Sequence, residues 1–421
     1  MANILIASDS VDIPSGFGVQ ANYLAHGLAS EHKVFALGFA HRGTVKRDIN
    51  LLPDYYPDAK ITMVPNGSMK FGQPCPYISN DIGMLRYWLK KLNIDILITL
   101  ADMWMTEYIS TLNIRPVRWI RWIPLDSEVM LPFWRDQIKN SDIPVTFAKF
   151  ANKLVKDTIG IEVEHISHGV NTDLFRPLNI EEREKNRKGE GIKEDSFIIL
   201  MVGRNQTRKM QPYLFKAFGE FARDRKDVKL LCHFDFKGDV PVGGGPPLGW
   251  DLYNLMDRFN IRDKVIRTVD KEGFEYKLDI GEDKMSKLYP IADVHYNSGN
   301  EGFGVPAMES NACGVPNISP DYTTAKELTD NGNCGVLCKY SETWFHPICA
   351  EWCIPDHKDL ASKFELLYNN KELLKKLGEN ARKYAVENYD WKIIIPKWKA
   401  LIDKVLNKPP ETDYAKGELG I

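Results

Sequence analysis

The sequence lacks an excess of either charge: 55 Lys and Arg residues stand against 57 Asp and Glu, and the balance is near even on both sides of residue 175. Bulk electrostatic affinity for nucleic acid or an anionic membrane is thereby excluded, although a local patch is not. No stretch reaches the roughly 18 uncharged apolar residues that a membrane span needs, so a soluble or peripheral protein is expected. The N-terminal MANILIASDS has neither the basic start nor the long apolar centre of a signal peptide and reads as a buried strand; export is not expected. Seven cysteines do not suggest a disulfide framework, which makes a reducing cytoplasm the default compartment. No repeat of fixed period is visible.

What is present is a long alternation of short apolar runs and helical patterns. The length, 421 residues, leaves room for two hydrophobic cores. Ile4–Ala7, Lys33–Leu37, Ile61–Val64, Asp95–Leu100, Val117–Ile123 and Pro144–Phe147 are strand candidates, with helices such as Val19–Ala29 and Met84–Leu92 between them. Arg176–Asp195 is almost all charge, Gly and Pro, and is expected to be a linker. The alternation restarts with Phe197–Val202, Val228–Cys232, Val265–Val269, Ala292–Tyr296, Val315–Ile318 and Gly335–Cys338. The expectation is therefore an α/β protein with two doubly wound domains, 1–175 and 196–388, then a helix over 389–408 and a frayed tail over 409–421. Such sheets bind ligands outside the carboxyl ends of their strands.

Three strand ends carry chemistry. Pro14-Ser15-Gly16-Phe17-Gly18 lies between the first strand and the first helix, where glycines and helix-terminal amides could face an anion; a tight turn with no ligand gives the same string. Gly203-Arg204-Asn205-Gln206-Thr207-Arg208-Lys209 follows Phe197–Val202, and Arg204 and Lys209 are expected to converge where a diphosphate could sit, a solvated basic turn being the bland alternative. Ser298–Glu309 follows Ala292–Tyr296. Pro306 suits a first helical turn and Gly314 a helix stop, so Glu301 and Glu309 are expected to flank a short helix whose start exposes amides near Gly302 and Gly304. Carboxylates accept sugar hydroxyl protons and amides hold phosphate, a combination that suits a nucleotide sugar; capping or solvation of the helix would explain either glutamate alone.

These strings resemble the retaining glycosyltransferases of the GT-B fold, in particular the family 4 group. The resemblance rests on the Gly loop before Val19, on ISHGVNTDLFRP (Ile166–Pro177), on GRNQTRK (Gly203–Lys209), on LYPIADVHYNSGNEGFGVPAMESNACGVPNI (Leu288–Ile318) with its E-x(7)-E spacing, and on ENYDWKIIIPKW (Glu387–Trp398). It implies two Rossmann-like domains facing across a cleft, the 389–408 helix returning to the first. It implies that Arg204 and Lys209 bind the donor diphosphate, Glu301 lies against the donor sugar, Glu309 holds the ribose hydroxyls, backbone around Phe303, Gly304 and Val305 contacts sugar and phosphate, and Gly16 and Gly18 lie under the phosphates. Where that family has a His after a central strand, this chain reads WIRWIPLD, and Asp126 is the nearest polar candidate. The implied reaction is transfer of a sugar, such as a hexose, from a nucleoside diphosphate sugar with retention, with no metal or other cofactor required for the chemistry.

A nucleotide-sugar binding protein without transfer activity and a GT-B epimerase remain alternatives. Acceptors left open are a sugar, a lipid or another hydroxyl compound. Met84–Leu92 interleaves aromatic and basic residues, as a membrane-surface helix does, although a packed helix shows the same pattern. Cys334, Cys338, Cys349 and Cys353 with His346 have ligand-like spacing for zinc; buried free thiols are the preferred reading.

Overall fold

A computed structural model describes residues 1–39, 41, 43–66, 82–112, 114, 116–236, 249–268, 280–346 and 349–408. The expected tail over 409–421 lies outside them. Two units emerge from the contacts within the chain. Unit 1 comprises Met1–Leu125, Met130–Gly169 and Trp391–Ile421; unit 2 comprises Asp126–Val129 and Val170–Asp390.

In unit 1, β1 (Asn3–Ser8), β2 (Lys33–Gly38), β3 (Lys46–Ile49), β4 (Ile61–Pro65), β5 (Ile96–Leu100), β6 (Arg118–Ile123), β7 (Ile143–Thr146) and β8 (Glu164–His165) form one sheet in the order β3-β4-β2-β1-β5-β6-β7-β8. Only β3 runs antiparallel among these described strands. The central strands are apolar throughout because both faces of a parallel sheet are covered; β5 is buried at every position. Helices α1 (Gly16–Leu28), α2 (Ile82–Lys91), α3 (Pro132–Lys139) and α4 (Lys149–Ile159) lie between strands. Leu85, Trp88 and Leu89 of α2 are buried in the core while Tyr87 is exposed, and α4 stops at Gly160, whose φ of 71° is the left-handed geometry a helix stop uses. The C-terminal helix Trp391–Asn407 also belongs to this unit. Its Trp391 stacks on Tyr23 with ring centroids 5.3 Å apart, and its Trp398 meets Trp122 of β6 edge-on at 4.9 Å.

Unit 2 opens with a departure from expectation. The charged segment expected to be a linker folds as α5 (Ile180–Gly189), started by a reciprocal capping box between Asn179 and Glu182. Its one buried residue, Arg187, donates to Asp293 Oδ2 at 2.9 Å and to the carbonyls of Ile291, Glu194 and Ser196. Composition suggested a segment without a core; two guanidiniums tie it down instead, since Arg183 also donates to Asp293 Oδ1 at 2.9 Å and to the carbonyls of Pro290 and Ala292. The six-stranded sheet that follows comprises β9 (Phe197–Val202), β10 (Val228–His233), β11 (Val265–Arg267), β12 (Val294–Tyr296), β13 (Asn317–Pro320) and β14 (Gly335–Cys338) in the order β11-β10-β9-β12-β13-β14, all parallel. Numbered from β9 this is 3-2-1-4-5-6, the dinucleotide-fold order. Helices α6 (Gln211–Ala222), α7 (Leu252–Arg258), α8 (Glu282–Leu288), α9 (Val305–Ala312), α10 (Ala325–Thr329), α11 (His357–Asn369) and α12 (Lys371–Tyr389) complete the unit. A separate antiparallel hairpin of β15 (Tyr340–Phe345) and β16 (Glu351–Pro355), absent from the sequence expectation, is inserted between β14 and α11.

Candidate active site

The strand order of unit 2 reverses direction between β9 and β12, and at such a switch point the two connections leave on opposite faces and open a crevice. The connection after β9 carries Gly203–Lys209, and the connection after β12 carries Asn297–Gly304. Topology therefore brings together the two strings that carry the most chemistry.

Glu301 is the meeting point. Lys209 Nζ donates to its Oε1, and Arg208 Nη1 donates to its Oε2 at 2.8 Å. The Lys209 and Glu301 side chains are only 8% and 11% exposed, so this contact is shielded from water, whereas Arg208 is 26% exposed. Burial and the nearby Arg208 and Arg204 guanidiniums push the Lys209 ammonium down; the Glu301 carboxylate in contact with it opposes that push. Gly203 has φ 153°, and a Cβ there would make ordinary contact with the lysine, 3.5 Å from both Cε and Nζ.

Asn300 fixes the loop that presents Glu301. Its amide donates to the carbonyls of Arg208 at 2.9 Å and Cys353 at 3.0 Å and accepts from the Cys353 amide at 2.8 Å. Arg208 in turn donates to the Asn300 carbonyl at 2.7 Å. A buried, fully used Asn of this kind holds geometry. Thr324 Oγ1 donates to the Phe303 carbonyl at 2.6 Å, and Gly304 enters α9 with φ 98°, a backbone conformation that favours glycine. No side chain caps α9, which leaves its positive end directed at the crevice. Phe303 itself is buried, its ring 5.7 Å from Tyr389, so only its backbone is offered there.

Glu309 sits one turn into α9. It accepts from the Tyr289 hydroxyl at 2.6 Å, and burial, with Glu282 adding to it, lifts its carboxyl to about 8 despite that bond. Asp126 belongs to unit 2, although the strand before it belongs to unit 1. Burial pushes its carboxyl up; Arg208, its own backbone, the Trp352 side chain and Lys209 pull it back.

The structure thus gathers Lys209, Glu301, Asp126 and Gly304 about one strand end. Arg204 is exposed and near enough to Lys209 to push its ammonium down, and the guanidinium in contact with Glu301 is that of Arg208. Arg208 stood within the quoted string, and Asn300 directly precedes Glu301; neither was singled out. Buried Tyr289 gave no signal beyond an apolar run. Gly16 and Gly18 lie in unit 1, at the start of α1. Gly18 donates its amide to Ser15 Oγ, and a Cβ there would meet the Ile13 carbonyl at 2.3 Å, whereas Gly16 faces open space. Gly18 is thus required by packing. Gly302 and Val305 are partly exposed beside Gly304. Cys334, Cys338 and Cys353 are buried thiols and Cys349 is exposed. Burial raises Cys334 to about 12, and no group of three His, Cys, Asp or Glu side chains among the described residues is placed to hold a metal. Among the described residues, no helix is long and apolar enough to cross a membrane.

Comparison with solved structures adds the overall architecture. The chain is similar to a sucrose-phosphate synthase of Thermosynechococcus elongatus, with a TM-score of 0.72 at 17% identity over 96% of this chain and 99% of the other. The chain has the GT-B fold. This GT-B protein is likewise similar to Anabaena HepE in complex with UDP-glucose, with a TM-score of 0.68 at 14% identity over 96% and 100% of the two chains. Residues 257–344 match the family "Glycosyl transferases group 1". A putative glycosyltransferase of Bacillus subtilis, EpsD, is 26% identical over 219 residues, 52% of this chain and 48% of its own length. The chain thus spans about half the length of the curated relatives it matches.

Proposed function

We propose that this protein is a glycosyltransferase that moves a sugar from a nucleoside diphosphate sugar to an acceptor hydroxyl with retention of anomeric configuration. The observation that carries the reading is the pairing of Arg208 and Lys209 with Glu301 at the β9/β12 switch point, with Arg204 and Asp126 near enough to act on Lys209, beside the uncapped start of α9. Three cations and a helix dipole exceed the charge of one Glu, and a diphosphate supplies the missing anion. The solved structure of HepE with UDP-glucose is a neighbour whose ligand has this chemistry.

In this reading Lys209, Arg204 and Arg208 hold the diphosphate and Glu301 lies against the sugar. Glu309 takes the ribose hydroxyls. Being largely protonated at neutral pH, it both donates and accepts there. Asp126 accepts from a sugar hydroxyl. In the transfer step the acceptor oxygen bonds to the anomeric carbon as the bond to the phosphate oxygen breaks on the same face. The acceptor proton passes to the departing diphosphate, whose charge the cations and α9 stabilise. Catalysis by such fixed charges is electrostatic and positional. No step requires a metal or other cofactor.

The test is release of nucleoside diphosphate from UDP-, GDP- and ADP-sugars in the presence of a mixed acceptor pool. Wild type is expected to turn over at least one donor and Lys209→Ala, shown to be folded, to lose about a hundredfold or more. Equal rates for the two proteins would refute the assignment.

A further inference from the structure

The hairpin of β15 and β16 is not needed to complete the six-stranded sheet, yet it is wired to the candidate site. Both hydrogen bonds between Asn300 and Cys353 join β16 to the residue before Glu301, and the Trp352 side chain is near enough to Asp126 to pull its carboxyl down. From Trp352 a line of rings runs outward. His346 lies tilted against it at 34° with centroids 4.3 Å apart, and Trp344, the cross-strand partner of Trp352, lies 5.8 Å away. Burial falls along the line, from Trp352 at 5% exposed to Trp344 at 37%. An aromatic strip thus begins in solvent and ends at a carboxylate of the site.

We propose that this strip is the acceptor subsite and that its occupant is a neutral saccharide; the inference rests on the transfer reaction proposed above. The negative ring face of Trp suits the weakly positive C–H face of a pyranose. Carboxylates nearby accept hydroxyl protons: Glu342 lies on β15 two residues before Trp344, and Asp126 lies at the inner end. Charge decides against phosphorylated acceptors and anionic lipid headgroups. The hairpin and its outer supports carry Glu342, Glu351, Asp356, Glu128 and Asp321 against Lys339, the cations Arg208 and Lys209 facing only the inner end at Asp126. The field of Glu128 and Asp321 helps to raise the Tyr340 phenol. An anionic acceptor would be repelled there.

Phe345 provides an internal control. It is the more exposed ring at 65%, but it pairs with Glu351 and points to the other face of the hairpin. If exposed hydrophobicity alone caused retention, Phe345 would matter more than Trp344.

The experiment is retention of the full chain on immobilised neutral and anionic saccharides and on phosphatidylglycerol vesicles, for wild type, Trp344→Ala and Phe345→Ala. Wild type is expected to retain a neutral saccharide, Trp344→Ala to bind it about tenfold more weakly, and Phe345→Ala to match wild type. Retention of no neutral saccharide, equal loss in both variants, or a preference for the anionic saccharides or vesicles would overturn the proposal. Titration with nucleoside diphosphates alone reads the Lys209 side independently. Its failure with saccharide retention intact would refute the donor reading and leave the strip's saccharide binding standing.

Discussion

Replacing Glu301 with Gln removes one charge from a shape-conserving side chain, and its consequences follow from what the carboxylate holds. Without it, Lys209 and Arg208 lose their shared partner while the Lys209 side chain is only 8% exposed. Breaking a buried pair by deleting one partner costs about 3 kcal/mol or more, because the remaining charge is left uncompensated. For a unit of this size that is a fall of about 6–12 °C in Tm. Lys209 can relieve the strain by losing its proton, since burial and both arginines already push it that way, so the deficit is expected to be larger at pH 6 than at pH 9. A diphosphate restores the missing negative charge. A ligand in large excess adds RT ln([L]/Kd) to each protein, so equal affinities would leave the gap unchanged; the unpaired cations of Glu301→Gln are expected to bind nucleoside diphosphate about tenfold more tightly, which closes about half of a gap of about 3 kcal/mol. Differential scanning calorimetry with and without ligand reads all of this. An unliganded gap below about 1 °C, or a gap that widens with ligand, would falsify the claim that Glu301 and the diphosphate compete for the same cations.

Other consequences are simpler. Glu309, raised to about 8 in the folded chain from 4.5, contributes stability fully present below pH 4.5 and lost as pH rises toward 8. Urea midpoints at pH 5 and pH 8 are expected to differ more for wild type than for Glu309→Gln, with a ceiling of about 1.4 kcal/mol per pH unit; equal slopes would refute the assignment. Gly18→Ala is expected to cost about 2 kcal/mol or more, because its Cβ would overlap the Ile13 and Ser10 carbonyls, while Gly16→Ala is expected to be tolerated. Thermal melts separate the two, and similar losses would contradict the packing account. Arg187→Met is expected to cost about 2 kcal/mol or more, because it leaves three carbonyls, two of them in buried bonds, without their donor while Asp293 keeps Arg183 and the Ile198 amide; a change of less than about 1 kcal/mol in chemical denaturation would show that α5 is held chiefly by something else.

The parallel sheets were legible in the sequence because parallel strands buried on both faces read as unbroken apolar runs. Phe197–Val202 and Gly335–Cys338 coincide with β9 and β14 to the residue. Polar elements were not legible. β3, with the sequence KRDI, has no apolar pattern, and α5 is anchored by Arg183 and Arg187, whose shared partner Asp293 lies about a hundred residues away. β15 is exposed at most positions, so its sequence YSETWF carries no alternation to mark a strand. At the site, Lys209, Glu301 and Glu309 could be picked out from their strings. That Arg208 is the guanidinium paired with Glu301 depends on which face of a short turn points to it, and spacing alone does not answer that. The contribution of Asp126 to unit 2 depends on a chain crossing that local sequence does not encode.

The central claim is that Lys209 and its neighbouring arginines form a diphosphate site. Calorimetric titration of UDP, GDP and ADP into wild type and Lys209→Met tests it without any acceptor. The account predicts one-to-one binding of at least one of them to wild type, weakened tenfold or more in a folded Lys209→Met. Binding of none to wild type, or equal binding to both proteins, would contradict it.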